Sequence, residues 1–246
     1  MKSFFLLIKQ KFATVVNIIK SFFFYFLRHP HILFIILIIR YFYFKFTGDV
    51  KTMNGPYNIG NSNSHNLDGM HRLSVNFFMP RFDRLMFSML ANEKFNYKSK
   101  ILVIGPRSES DILKLKAYGY SNIEAIDLIS YSKSIILMDA HDMTYQDNTF
   151  DVVMCGWVLP YSKNPQKIAD SIVRVSKNES LISIGIEYLD TELINSIDKI
   201  KFLFKKNIKN IFFEYDAHLK GQSLEVLEKN IGLSKSQIMI SFSLTK

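Results

Sequence analysis

Two carboxylates and a glycine are spaced for gripping a ribose-bearing ligand. Gly105 closes the apolar run Ile101–Ile104, and Asp127 closes a second run 22 residues later. Asp139 follows a third, Ile-Ile-Leu-Met at 135–138. An acid at about this distance past a glycine turn can accept hydrogen bonds from both ribose hydroxyls. Beyond later runs stand Trp157, Tyr161, Glu187 and Tyr188, polar or aromatic groups suited to walling a ligand or touching a second one. No nucleophile-base-acid arrangement stands out. The lone cysteine, Cys155, lies inside an apolar run and reads as a buried thiol. His65 and His71 lack a third ligand pattern and read as surface histidines, so no metal is expected.

These residues need a scaffold that brings the ends of separate strands together. Apolar runs at 101–105, 123–128, 134–138, 150–156 and 181–187 read as buried parallel strands. Helical patterns at 109–118, 165–175 and 191–205 fall between or after them, with Gly119 suited to cap the first. Further strands are predicted near 208–215 and 237–244, around a helix near 223–230. Such alternation predicts an α/β fold: a doubly wound, mostly parallel sheet with an antiparallel edge strand, preceded by an α-helical N-terminal extension. Open sheets of this kind bind ligands at the carboxyl ends of their strands, where the candidate residues sit.

The 246 residues are 48% hydrophobic, enough for one cored domain plus an extension. Charge is uneven. Residues 1–51 carry eight Lys/Arg against one acid, Asp49; the rest carry 23 against 21. The basic balance belongs to the N-terminal segment, so overall charge gives no case for nucleic acid. Within 1–23, Phe4, Phe5, Ile8, Phe12, Val15, Val16, Ile19, Phe22 and Phe23 share one helical face, opposite Lys2, Lys9 and Lys20, with Lys11 out of place. That is the pattern of a helix lying in a membrane interface. The run Ile32–Ile39 is broken by Arg40, and Arg28-His29-Pro30-His31 interrupts any longer span, so a shallow anchor is favoured over a single crossing. A cleaved signal peptide is not expected. The domain reading is 1–47 membrane-associating, 48–72 a glycine-punctuated linker and 73–246 the α/β domain, opening on a helix within 74–92.

The block Met-Asp-Ala-His-Asp-Met-Thr-Tyr-Gln-Asp-Asn-Thr-Phe-Asp-Val-Val, 138–153, resembles the class I, Rossmann-like S-adenosylmethionine-dependent methyltransferases, in particular their small-molecule branch. The resemblance covers residues 100–188. It implies S-adenosylmethionine as cofactor, with Asp127 on the ribose, Asp139 on the adenine amino group, the Ala140 amide facing the ring, and His141 or Met143 packed against it. Leu128 and Trp157 complete the implied cofactor wall, and Tyr161, Glu187 and Tyr188 fall on the acceptor side. The glycine-rich loop of the family is degenerate: Gly105-Pro106-Arg107-Ser108-Glu109 keeps one glycine, and Val103 replaces an acid. Arg107 is expected to pair with the cofactor carboxylate, and Glu109 or Asp111 with its ammonium. Residues 176–180 depart from the family's usual glycine-rich turn.

The function expected from this resemblance is methyl transfer to a small-molecule, glycan or lipid-linked acceptor on the cytoplasmic face of a membrane. Two alternatives stay open: a non-catalytic, membrane-associated scaffold, and a nicotinamide oxidoreductase, which the absent Gly-x-Gly-x-x-Gly fingerprint disfavours.

Overall fold

The structure is a computed structural model that describes residues 11–12, 14–16, 18–19, 22–47, 50–53, 81–106, 108–187, 196–216 and 237–246. The helix expected near 223–230, most of the linker and residues 74–80 lie outside these. Nine strands are described: β1 (Lys51–Thr52), β2 (Ile101–Ile104), β3 (Ile123–Asp127), β4 (Ile129–Ser130), β5 (Ile136–Leu137), β6 (Phe150–Gly156), β7 (Ser176–Glu187), β8 (Ile208–Asp216) and β9 (Gln237–Leu244). The helices are α1 (Pro30–Thr47), α2 (Arg81–Leu90), α3 (Ser110–Ala117), α4 (Pro165–Val175) and α5 (Ile197–Phe204).

Seven strands form one sheet in the order β5-β3-β2-β6-β7-β9-β8. β5, β3, β2, β6 and β7 are mutually parallel. Antiparallel pairing is confined to the far edge, where β9 runs against both β7 and β8. The reversed strand is inserted one place in, and β8 takes the border itself. Two elements differ in extent from the sequence pattern. The strand expected over 134–138 pairs only at Ile136–Leu137. β7 begins at Ser176, where a loop was expected; Glu179, at φ 60°, and a register shift absorb the irregularity.

The sheet is covered on both faces, which is why its central strands are continuous apolar runs. Leu102, Ile104, Val153, Cys155, Ile182 and Ile184 face α4 and α5. Ile101, Val103, Val152, Met154 and Leu181 alternate to the other face, under α2 and α3. α4 starts on Pro165, with the Asn164 side chain accepting from the Lys167 amide at 3.2 Å. Its buried Ile168, Ala169, Ile172 and Val175 lie at helical spacing. α2 buries Phe82, Leu85, Met86 and Met89 in the same way. Its polar contacts, Arg84 to Gln237 and Ser88 to Ser241, fasten it to β9.

The N-terminal segment packs against α3. Leu27, Leu33 and Leu37 cluster with Ala117. Two arginines hold the ends of α3. Arg28 Nε donates to the Ala117 carbonyl at 2.7 Å, at the helix's negative end. Arg40 pairs with Glu109, the residue at the N-cap of α3. β1 then pairs antiparallel with β4. Outward, Ile35, Ile39, Phe42 and Phe46 form an exposed apolar stripe. By length and composition α1 could cross a bilayer, and it is the one such helix among the described residues.

Candidate functional site

The parallel register lays the carboxyl ends of β2, β3 and β6 side by side: Ile104 pairs with Ile126 on one flank and with Cys155 on the other. The residues just beyond these ends open a cleft lined by Gly105, Asp127, Leu128, Asp139, Ala140, His141, Trp157 and Tyr161, with Ile104, Ile126, Met138, Gly156, Val158, Ser162 and Ile168 behind them.

Gly105 turns the chain out of β2 at φ 75°, a conformation that favours glycine. The turn is also crowded. A Cβ there would lie 2.4 Å from Val158 Cγ2 and 3.0 Å from the Gly156 carbonyl oxygen. The glycine therefore lets two strand ends approach each other at the floor of the cleft.

Asp127 is half-buried at the end of β3, and one carboxylate oxygen accepts from the Ile129 amide at 3.3 Å. Asp139 is more enclosed. Its Oδ1 accepts from the His141 amide at 2.9 Å and lies 2.5 Å from His141 Nδ1. His141 Nε2 lies 2.5 Å from Ser162 Oγ, which itself accepts from the Asn164 amide at 2.9 Å. With a carboxylate on Nδ1, that nitrogen carries the hydrogen and Nε2 accepts the serine proton. The Asp139–His141–Ser162 chain is buried and orients the carboxylate. α4 steadies the same loop: Ser171 Oγ donates to the His141 carbonyl at 3.1 Å, and Arg174 donates to the carbonyls of Tyr145, at 2.7 Å, and Met143.

Trp157 leaves β6 with φ 59°, unusual for a residue with a side chain, and its amide donates to the Gly185 carbonyl at 2.6 Å. A Cβ on Gly185 would meet the indole at 3.3 Å. Left-handed backbone on a bulky residue is costly and concentrates at functional sites. Here it turns the indole between β7 and the cleft. Tyr161 ends a short 3-10 turn, Leu159–Tyr161, on the cleft's far wall.

Other candidates fall elsewhere. The Glu109 carboxylate is buried away from the cleft, held by Arg40 Nη2 at 2.6 Å, Arg40 Nε and Ser132 Oγ, while its amide donates to the Tyr131 hydroxyl at 2.9 Å. Burial, the largest effect on it, pushes that phenol well above its ordinary range. The ammonium-holding role expected of Glu109 therefore has no support in the geometry. Pro106 and Asp111 are not among the cleft-lining residues, and neither is Glu187, which ends β7. Arg107 and Tyr188 lie outside the described residues. Ser162 was not legible as a site residue. A serine after Trp-Val-Leu-Pro-Tyr carries no signal until the fold sets it against His141. No group of three or more metal-ligating side chains occurs among the described residues.

Residues 105–184 match the family described as the methyltransferase domain. Among solved structures, a chain of the complex between the Haloferax volcanii Trm112 methyltransferase activator and its methyltransferase superposes with a TM-score of 0.51 at 11% identity, covering 68% of this chain and 90% of that one. That likeness is one of fold. An S-adenosylmethionine-dependent methyltransferase of Aquifex aeolicus gives 0.48 at 12% identity, covering 76% and 100%. No curated protein matches the sequence.

Proposed function

We propose that this chain, which carries a class I, Rossmann-like methyltransferase domain with S-adenosylmethionine as its cofactor, methylates a lipid-linked, glycan or quinone-like acceptor at the cytoplasmic surface of a membrane. The single observation that carries the enzymatic part is the convergence of Asp127, Asp139 and the Gly105 turn on one cleft at the strand ends.

The residues present suit that cofactor. Asp127, half-exposed at the end of β3, is placed to accept from ribose hydroxyls. Asp139 has Oδ1 committed to His141, which leaves Oδ2 to answer an amino group, while the Ala140 amide and the Trp157 indole wall a flat ring. Arg107, next in sequence after Gly105-Pro106, is assigned the cofactor's carboxylate. The bound cofactor supplies a methyl group on a sulfonium. The protein's part is proximity, orientation and exclusion of water. Tyr161 on the far wall is a contact for the acceptor.

The membrane part is supported by the exposed stripe Ile35, Ile39, Phe42 and Phe46, together with exposed Phe12, Ile19 and Phe22. Because Arg28 and Arg40 tie the opposite side of this segment to α3, it lies along a bilayer and does not cross it. The rival scaffold reading draws on the two missing glycines and on a Glu109 turned from the cleft.

Thermal melting decides between the two. S-adenosylhomocysteine at a hundred times its Kd should raise the midpoint, because ligand binding to the folded state alone stabilises it by about 2.7 kcal/mol. No shift with either the donor or this product at millimolar levels leaves the scaffold reading standing. If the midpoint shifts, labelled donor with membrane extract locates the acceptor, and label confined to water-soluble products overturns a lipid-linked one.

A further inference from the structure

A second cavity, of about 380 Å³, opens where α1 ends against the β4 strand. It is separate from the cofactor cleft. Its polar lining is Tyr43 and Thr47 of α1, Lys51 of β1, and Tyr131, Ser132 and Lys133 beyond β4. Lys51 and Lys133 are the cationic residues of this lining, the hydroxyls of Ser130, Tyr131 and Ser132 are bonded within the wall, and no acidic side chain is among the described lining residues. Glu109, whose carboxylate bonds Ser132 of this wall, is paired with Arg40. The C-terminal end of α1 carries partial negative charge that opposes an anion, and the two lysines outweigh it.

The position matters as much as the lining. At about 100° per residue, Leu33, Leu37 and Arg40 lie on the side of α1 that meets the domain. Ile35, Ile39, Phe42 and Phe46 lie on the side left exposed. Tyr43 falls on the border between these sides, with Thr47 beside Arg40 on the domain side. A bilayer touching the stripe would bring its headgroup layer level with that border. Lysine ammonium and hydroxyl groups bind a phosphate by charge-assisted hydrogen bonds.

We propose that this cavity binds the phosphate of an anionic lipid headgroup while the neighbouring stripe enters the same bilayer. The site makes the enzyme selective for anionic membrane and fixes its face toward it. The proposal rests on the membrane-surface reading above, and its own content is the selectivity.

Flotation of the full chain with two vesicle types tests it: phosphatidylcholine alone, and phosphatidylcholine mixed with phosphatidylglycerol. Binding to the mixed vesicles should be about tenfold tighter or more, the scale expected from a pair of lysines at an anionic surface. The double variant Lys51→Ala/Lys133→Ala should lose that preference and keep its binding to the neutral vesicles. A second double variant, Lys11→Ala/Lys45→Ala, removes equal charge from the same N-terminal segment outside the cavity and should keep the preference. Unchanged melting curves check that both variants fold. Equal loss in the two variants means diffuse attraction and overturns the site. Equal wild-type binding to both vesicles overturns the site and leaves the membrane reading intact. Binding to neither vesicle removes both. A melting shift with glycerol phosphate but no vesicle binding assigns the cavity to a soluble phosphate and overturns the lipid assignment.

Discussion

Arg40 and Glu109, 69 residues apart, form a two-point ion pair that joins the N-terminal helix to the first turn of α3. The side chain of Glu109 is 4% exposed and that of Arg40 43%, so the carboxylate depends on a partner that solvent can still reach. Removing one member of a pair strands the other, and the cost is larger for the more buried group.

Arg40→Ala should therefore destabilise the protein by about 1–3 kcal/mol, discounted for the exposed guanidinium. Urea unfolding measures it. Glu109→Gln should cost less, because Ser132 and the remaining arginine can still bond an amide. A double-mutant cycle giving no coupling between the two positions would show that the pair contributes nothing.

Asp127→Asn and Asp139→Asn should each weaken S-adenosylhomocysteine binding by roughly 10- to 100-fold, the value of one hydrogen bond to a charged group. Isothermal titration reads it directly. The Asp139 change should also lower the melting midpoint, since an uncharged amide oxygen is a weaker acceptor for the His141 ring and amide. The Asp127 change keeps an oxygen able to accept from the Ile129 amide and should cost less stability than the Asp139 change.

Gly105→Ala should destabilise by about 1–3 kcal/mol through backbone strain and overpacking. Val158→Ala in the same chain relieves the contact 2.4 Å from the added methyl and should recover part of that loss. The remainder belongs to φ and to the Gly156 carbonyl oxygen 3.0 Å from the same methyl, neither of which a change at Val158 relieves. Full recovery in differential scanning calorimetry would place the whole cost in packing.

Burial pushes the Cys155 thiol up to about 12 from 9.0. The folded chain thus resists forming the reactive thiolate. Its favourable contribution is complete below about pH 9, where the unfolded thiol is also protonated, and is lost as the pH rises toward 12. A disulfide reagent at pH 8 should label Cys155 only as fast as the protein unfolds. Rapid labelling of native protein would contradict the burial.

How much of this was readable in the chain depends on the range of each interaction. The strands Ile123–Asp127 and Phe150–Gly156, with Gly119 at a helix end, were legible because hydrophobic runs and turn residues act locally. Asp139 and Ala140, assigned to the ligand through the resemblance of the block 138–153 to the methyltransferases, both line the cleft. Ser162 was not legible, because its role exists only where His141 meets it across 21 residues. Nor was Glu109 legible. An acid after a glycine turn reads as a ligand group, and only the helix folded back from the N-terminus shows that its charge is already answered. The strand running on from Ser176 was missed because polar Ser-Lys-Asn-Glu-Ser reads as a turn, whereas the pairing of Phe150 with Ser176 extends the sheet beneath it.

The grip of Arg28 and Arg40 on the two ends of α3 bears on modularity. An evolutionary exchange that grafted a different leader onto this α/β unit would leave a bare carbonyl at Ala117 and an acid at Glu109 without its cation. The leader and the unit it precedes are thereby obliged to be inherited together.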